Sequence, residues 1–249
     1  MKLKKNESFF DEVSLFYDGM TGFTEALKRR EAVINKFIEE GMKNVADFGC
    51  GSGLDSISLS QNGLKVTAFD QSEGMISQAR NNALKAGVQI SFRKKSLDKI
   101  PVSFASKFDL VLSLGNTLAN LDKAKLSMAV HNMYNILRPK GRAVIQILNY
   151  TVLQSRGERI INITTHDTSV YVRFYDLPGD QLNFNILKFN KENPSDRILH
   201  STTLFPHTRK DLVDLMKFAG FRDIKVYGSL KLEKFSANSS ADLVIIVRK

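Results

Sequence analysis

Asp47, Gly49, Gly51 and Gly53 recur at every second position where the apolar run Val45–Phe48 ends. Alternate glycines let a backbone pass against a ligand with no Cβ in the way. A helix starting just beyond them, near Leu54, would aim its free N–H groups at the same point. Cys50 lies inside this turn and is expected to contribute its backbone, with an inert thiol. A second acid, Asp70, closes the next apolar run and is followed by Gln71, Ser72 and Met75. An acid about 20 residues beyond a glycine loop can accept hydrogen bonds from both hydroxyls of a ribose. Residue type alone leaves two plainer readings open. The loop fits an ordinary tight strand-to-helix turn, and Asp70 fits a cap for a helix starting at Ser72.

Two common ligands of glycine loops fit poorly. A dinucleotide fingerprint counted from Gly49 would put its third small residue at Leu54, and a phosphate-binding loop needs a Gly-Lys-Ser/Thr ending that is absent.

Other candidates follow later strands or the N-terminal segment. Asn116 and Asn120 come just after Phe108–Leu114, at the edge where open α/β sheets bind ligands. A carboxamide there can both donate to and accept from an amine or hydroxyl, although asparagine is also a common turn residue. Tyr17 belongs to an aromatic N-terminal stretch with Phe9, Phe10 and Phe16, which fits either a lid or a helix packed on the core. Tyr150, Arg173 and Tyr175 could line an acceptor pocket or serve as ordinary strand residues. His207 follows a proline at the start of the last helix, where a structural histidine is expected before a base. The histidines at 131, 166, 200 and 207 lack metal-ligand spacing, so no metal is expected.

Short elements must position these groups. Strand patterns at Val45–Phe48, Val66–Phe69, Ile90–Phe92, Phe108–Leu114 and Ala143–Leu148 alternate with helical patterns at about 24–40, 53–62, 73–86 and 122–137. That alternation predicts a parallel sheet covered on both faces. After Tyr150 three strand-like runs follow, at 169–177, 182–189 and 197–205, joined at Pro178-Gly179-Asp180 and Asn193-Pro194-Ser195-Asp196. They predict a three-stranded antiparallel insertion. A helix from Thr208, an expected N-cap, runs to Gly220, and strands at 223–228 and 241–248 close the chain.

The chain has 249 residues, 43% hydrophobic and 25% charged, with a net charge of +10 and one cysteine. One cysteine excludes an internal disulfide and a multi-cysteine metal site. No run approaches the roughly 20 apolar residues of a membrane span, and the charged N-terminus has no signal-peptide pattern. A cytoplasmic enzyme with no membrane partner is expected. The basic charge leaves a nucleic-acid partner open, but the bases are scattered rather than clustered.

Asp47-x-Gly49-x-Gly51-x-Gly53 resembles the first motif of the class I S-adenosylmethionine-dependent methyltransferases, and Asp70-Gln71-Ser72-x-x-Met75 resembles their second. Lys95-Ser96-Leu97-Asp98 resembles a third region more loosely, with Ser96 where many members place an acid or Asn for the adenine amino group. Ser113-Leu114-Gly115-Asn116-Thr117 is similar to a segment of the glycine and glycine/sarcosine N-methyltransferases, as are Gly53-Leu54-Asp55-Ser56-Ile57, Asn149-Tyr150 and Phe205-Pro206-His207. Those enzymes carry an Arg before the Asn-Tyr pair that grips a carboxylate. Here the position is Leu148, which offers no such fork. Free glycine is therefore an unfavoured acceptor, with Arg173 a candidate replacement for the missing grip.

The resemblance implies a Rossmann-like α/β fold, a seven-stranded, mostly parallel sheet with an antiparallel last strand plus the insertion. It implies one methyltransferase domain over 1–249, divided into a helical cap (1–40), a cofactor-binding half (41–150), the insertion over the acceptor site (165–206) and the last helix and strand pair (207–249). S-adenosylmethionine is the implied cofactor, contacted by Tyr17, Asp47, Gly49, Cys50, Gly51, Gly53, Asp70, Gln71, Met75, Ser96, Leu97, Leu114 and Gly115. Asn116 is the expected reacting-centre residue, with Asn120, Tyr150, Arg173, Tyr175 and His207 toward the acceptor. Methyl transfer from a sulfonium needs alignment and exclusion of water more than a dedicated base. The expected acceptor is a small molecule, methylated at nitrogen. An RNA methyltransferase and a non-catalytic S-adenosylmethionine-binding regulator are the alternatives.

Overall fold

The computed structural model describes residues 3–176 and 181–249. Three helices open the chain: α1 (Asn6–Val13), α2 (Tyr17–Thr21) and α3 (Phe23–Ile34). The alternating half follows as β1 (Asn44–Phe48), α4 (Leu54–Gln61), β2 (Lys65–Asp70), α5 (Glu73–Lys85), β3 (Ser91–Lys94), β4 (Phe108–Ser113), α6 (Lys123–Ile136), β5 (Leu137–Leu148) and α7 (Tyr150–Arg156). Then come β6 (Ile160–His166), β7 (Ser169–Asp176), β8 (Leu182–Asn190) and β9 (Arg197–Leu204), and last α8 (Arg209–Phe218), β10 (Arg222–Tyr227) and β11 (Asp242–Arg248).

Seven strands form one sheet in the order β10-β11-β5-β4-β1-β2-β3. Strands β1 to β5 run parallel, and β11 lies antiparallel to both β5 and β10. The central strands are apolar at successive positions because both faces are covered. Val45 and Leu110 pack on one side, and Ala46, Phe48 and Val111 on the other. The winding reverses at β1, which has β2 on one side and β4 on the other. Open α/β sheets bind ligands beyond the strand tips at such a reversal.

Local chemistry fixes the helix starts. Ser72 caps α5 by accepting from the Met75 N–H at 3.0 Å, and Asp122 caps α6 by accepting from the Lys125 N–H at 2.9 Å. Thr208 and Asp211 form a reciprocal capping box on α8, as the sequence led us to expect of Thr208.

The second sheet has four strands, ordered β6-β7-β8-β9, rather than the three expected. The additional strand is β6. Its residues on the row shared with Tyr171 and Arg173 are Thr164 and Asn162, so the polar side chains turn inward, while Ile160, Ile161 and Ile163 are exposed. The usual inward-apolar alternation is therefore missing from its sequence. The insertion accordingly begins at Ile160 rather than 165. The expected turn at Pro178-Gly179-Asp180 lies outside the described residues. Two other boundaries differ. The helical pattern at 24–40 ends at Ile34 and continues only as a short 3-10 turn, Asn35–Phe37. The strand expected from Ala143 starts at Leu137 as part of β5, with a break in register between Leu137 and Arg142, where Lys140 has a φ of 67°.

The N-terminal helices fill the angle between the two sheets. Phe9, Val13 and Met20 share a core with Met75 of α5 and Tyr171 and Ile186 of the insertion. Asp11 accepts from Ser72 Oγ at 2.6 Å and from the Gly74 N–H at 3.0 Å, which ties α1 to the start of α5. Lys4 pairs with Thr202 beside β9. Among the described residues no helix is long and apolar enough to cross a membrane.

Candidate cofactor and acceptor site

The glycine loop leaves the tip of β1 and is held by β2: the N–H groups of Gly49 and Cys50 both donate to Phe69 O, at 2.8 and 3.1 Å. Gly49 and Gly51 have φ values of 79° and 52°, in the region that favours glycine. Their surroundings differ. A Cβ on Gly49 would lie 2.2 Å from Thr117 Cγ2, whereas a Cβ on Gly51 would meet nothing within 4 Å. Gly49 is packed against the β4 edge, and Gly51 faces open space.

Asp70 at the tip of β2 binds the loop and the next helix together. One carboxylate oxygen accepts from the Gly51 N–H and the other from the Ser72 N–H, both at 2.9 Å. Burial pushes this carboxyl up, and the N–H donors oppose that shift. Each oxygen keeps a further lone pair for a ligand hydroxyl. The ribose and helix-start readings are thus compatible.

A cavity of about 210 Å³ opens over these strand tips. Of the expected cofactor contacts, Tyr17, Gly49, Cys50, Gly51, Asp70, Gln71, Met75, Ser96, Leu97, Leu114 and Gly115 line it, and so does Asn120. Burial raises the Tyr17 phenol pKa, against the pull of the nearby Arg173 charge. Ser96 Oγ is bonded to the Asp98 carboxylate. Burial pushes the Cys50 thiol well up, in keeping with an inert side chain.

Asp47 and Gly53 do not line the cavity. Asp47 is 1% exposed and accepts from Ser56 Oγ at 2.5 Å. Burial and then the neighbouring Asp55 charge hold its carboxyl well above the usual range. Gly53 instead lets α4 approach α5: a Cβ there would sit 3.1 Å from Ala79 Cβ.

Several lining residues were not anticipated from the sequence. Phe10, Thr21, Phe23 and Arg30 come from the N-terminal helices, Asp55 from α4 and Thr117 from the β4 edge. Arg30 Nε lies 3.0 Å from Asp55 Oδ1, and both side chains are largely shielded. Nothing in the sequence spacing pairs Asp55 with Arg30.

Apart from Asn120, the acceptor-side candidates lie outside the cavity lining, and Asn116 and Tyr150 are bonded to each other. Asn116, at a φ of 67°, donates from Nδ2 to Tyr150 Oη at 2.8 Å, and its Oδ1 accepts from the Leu148 N–H at 3.0 Å. Tyr150 is 2% exposed; burial, reinforced by Tyr175, raises its phenol pKa. Burial pushes the Tyr175 phenol up to about 12, opposed by Arg173. His207 stands apart. It is 4% exposed, with Nε2 at 2.8 Å from Leu121 O, and burial lowers its pKa, so it sits neutral with Nε2–H as donor. Among the described residues no cluster of acids, histidines or cysteines could hold a metal.

A glycine loop and a half-buried acid lie on adjacent parallel strand tips beneath the N-terminal helices, the arrangement with which α/β enzymes hold nucleosides. Residues 45–141 match the methyltransferase domain family. Glycine N-methyltransferase from Homo sapiens is 32% identical over 133 residues, which are 48% of this chain and 45% of that protein. Glycine/sarcosine N-methyltransferase from Aphanothece halophytica is 26% identical over 211 residues, covering 81% of this chain and 74% of its own length. The chain spans about half the length of the curated glycine N-methyltransferases it matches. A solved S-adenosylmethionine-dependent methyltransferase from Clostridium acetobutylicum shares the fold, with a TM-score of 0.72 at 17% identity over 93% of this chain and 91% of that one.

Proposed function

We propose that this protein transfers the methyl group of S-adenosylmethionine to a nitrogen of a small-molecule acceptor. The observation that carries the reading is the cavity at the sheet's reversal point, walled by the glycine loop and Asp70 and roofed by the N-terminal helices. The residues present fit the cofactor. Asp70 offers free lone pairs to ribose hydroxyls, and Gly51 leaves room for close approach. Met75 and Leu97 supply apolar walls for an adenine, with Ser96 beside them. Arg30, held by Asp55, offers its remaining N–H groups to the cofactor's carboxylate.

When bound, the cofactor supplies an electrophilic methyl on a sulfonium. The protein's part is to align the nucleophile and keep water out. In this reading Tyr17, Phe10 and Phe23 cover the site, and Asn120 presents a carboxamide whose buried Oδ1 has no protein partner and can accept from an acceptor N–H. Asn116 acts through Tyr150 and the Leu148 backbone, shaping the wall between cofactor and acceptor. An amine can lose its proton to solvent before binding, so no dedicated base is required. The similarity to glycine and glycine/sarcosine N-methyltransferases supports nitrogen as the target. The aromatic roof favours a small acceptor over a nucleic acid. One domain over 1–249, with the helical cap and the insertion closing on the acceptor, and a cytoplasmic setting belong to the same reading.

Calorimetric titration with S-adenosylhomocysteine, followed by a labelled-methyl screen of small amines, acids and alcohols, tests it. Saturable cofactor binding with turnover on amines is expected. Binding without turnover on any acceptor would leave the regulator, and turnover confined to oxygen acceptors would overturn the nitrogen assignment.

A further inference from the structure

The inner face of the insertion carries a guanidinium that pairs with no carboxylate among the described residues. Arg173 lies on β7 between Tyr171 and Tyr175, opposite Ile186 of β8 and, one strand further, His200 of β9. Tyr171, Tyr175, Ile186 and His200 are all buried, so this row faces the interior. Arg173 Nε donates to Asn162 Oδ1 at 2.7 Å, which orients the group from the neighbouring strand. Among the described residues its two terminal nitrogens have no hydrogen bond to a protein group, and no carboxylate pairs with Arg173. Arg30, the other arginine at the site, is already matched by Asp55. A half-buried guanidinium costs free energy unless an anion completes it, and its two terminal N–H groups fit the two oxygens of a carboxylate or phosphate.

Arg173 is also placed to reach the acceptor. Tyr171, its neighbour on one side of the row, shares a core with Tyr17 and Met75, which line the cofactor cavity. Tyr175, its neighbour on the other side, shares a core with Tyr150, which is bonded to Asn116 at the tip of β4. Arg173 therefore lies on the row between a residue packed toward the cavity wall and one packed toward the Asn116–Tyr150 pair. The net charge of +10 favours approach of anionic ligands.

We infer that the methyl acceptor is an anionic small molecule whose carboxylate or phosphate is held by the terminal nitrogens of Arg173, making this arginine the specificity-determining residue of the acceptor site. This rests on the methyltransferase reading above.

The test uses matched pairs: β-alanine, 4-aminobutyrate and 4-aminobenzoate against their carboxamides, and phosphoethanolamine against ethanolamine. Turnover is measured with S-adenosylmethionine, and binding to the protein loaded with S-adenosylhomocysteine is measured by calorimetry. The anionic member of at least one pair should be preferred at least about tenfold, the scale of one charge-assisted contact. The carboxylate and phosphate arms tell the two anions apart. Arg173→Met should raise KM for that acceptor about tenfold or more with little change in kcat, and Arg173→Lys should restore part of the loss. S-adenosylhomocysteine affinity should stay at the wild-type value in both variants. Anion-selective turnover with the methyl placed on oxygen rather than on the amine would sink the nitrogen reading and leave this one standing, and anion-selective binding with no methyl transfer at all would overturn both. Amine turnover with no preference for the anionic partners would do the reverse. The proposal is overturned if wild-type protein shows no anion preference in either readout, or if Arg173→Met keeps the preference intact.

Discussion

Asn116 and Tyr150 are joined at 2.8 Å across the gap between the tip of β4 and the start of α7, with the Asn116 Oδ1 also taking the Leu148 N–H. The carboxamide expected at the reacting centre is thus committed on both sides to holding the wall in shape. Tyr150→Phe removes one arm of this link and leaves the half-buried Asn116 Nδ2 without its partner, which costs about 1 kcal/mol. We expect a lower melting temperature and a fall in kcat, with S-adenosylhomocysteine affinity close to wild type. A change confined to cofactor affinity would place the pair on the cofactor side instead.

Asp70 holds Gly51 and Ser72 while keeping lone pairs for a ligand. Asp70→Ala should weaken S-adenosylhomocysteine binding at least about tenfold, because it removes a charge-assisted acceptor and unties the loop. Titration calorimetry gives the answer directly, and unchanged affinity would remove the ribose assignment.

Gly49 and Gly51 should separate packing from binding. Both have positive φ, but an added methyl at Gly49 runs into Thr117 while one at Gly51 enters open space. Gly49→Ala should therefore lower the melting temperature more than Gly51→Ala. Gly51→Ala should lose cofactor affinity out of proportion to its stability loss. Equal melting temperatures would contradict the packing difference.

His207 makes stability depend on pH in a defined direction. Its pKa in the fold lies below the unfolded value of about 6.5, because burial disfavours the charged ring. At higher pH neither state binds the proton. As pH falls below about 6.5 the unfolded chain takes it up first, so stability is lost toward acid. His207→Gln keeps an N–H that can reach Leu121 O but cannot titrate. The stability advantage of wild type over this variant should shrink between pH 7.5 and pH 5 in parallel thermal melts, and a constant gap would exclude His207 as the source.

Which parts of this site can be read from the chain depends on how local they are. The loop Gly49–Gly53 and Asp70 are separated by a single strand–helix–strand unit, so their spacing carries the geometry. Thr208 and Asp211 announce their capping box over one helical turn. By contrast, Phe10, Thr21, Phe23 and Arg30 reach the cavity only because α1 to α3 pack back over the sheet tips, and no spacing encodes that return. Strand β6 was hidden for a related reason: its inward positions are polar because they meet Arg173 and Tyr171 rather than an apolar core.

The sequence by itself determined the parallel sheet, the ligand loop and the acid that faces it, since each depends on residue type and periodicity within a few tens of positions. Tertiary structure decided the rest. It paired Arg30 with Asp55, turned Asn116 from a free amide into a brace for Tyr150, and left Arg173 on an inner face with no carboxylate partner among the described residues. Those outcomes rest on contacts between segments far apart in the chain, where hydrogen-bond geometry and burial, rather than residue type, decide what each side chain is free to do.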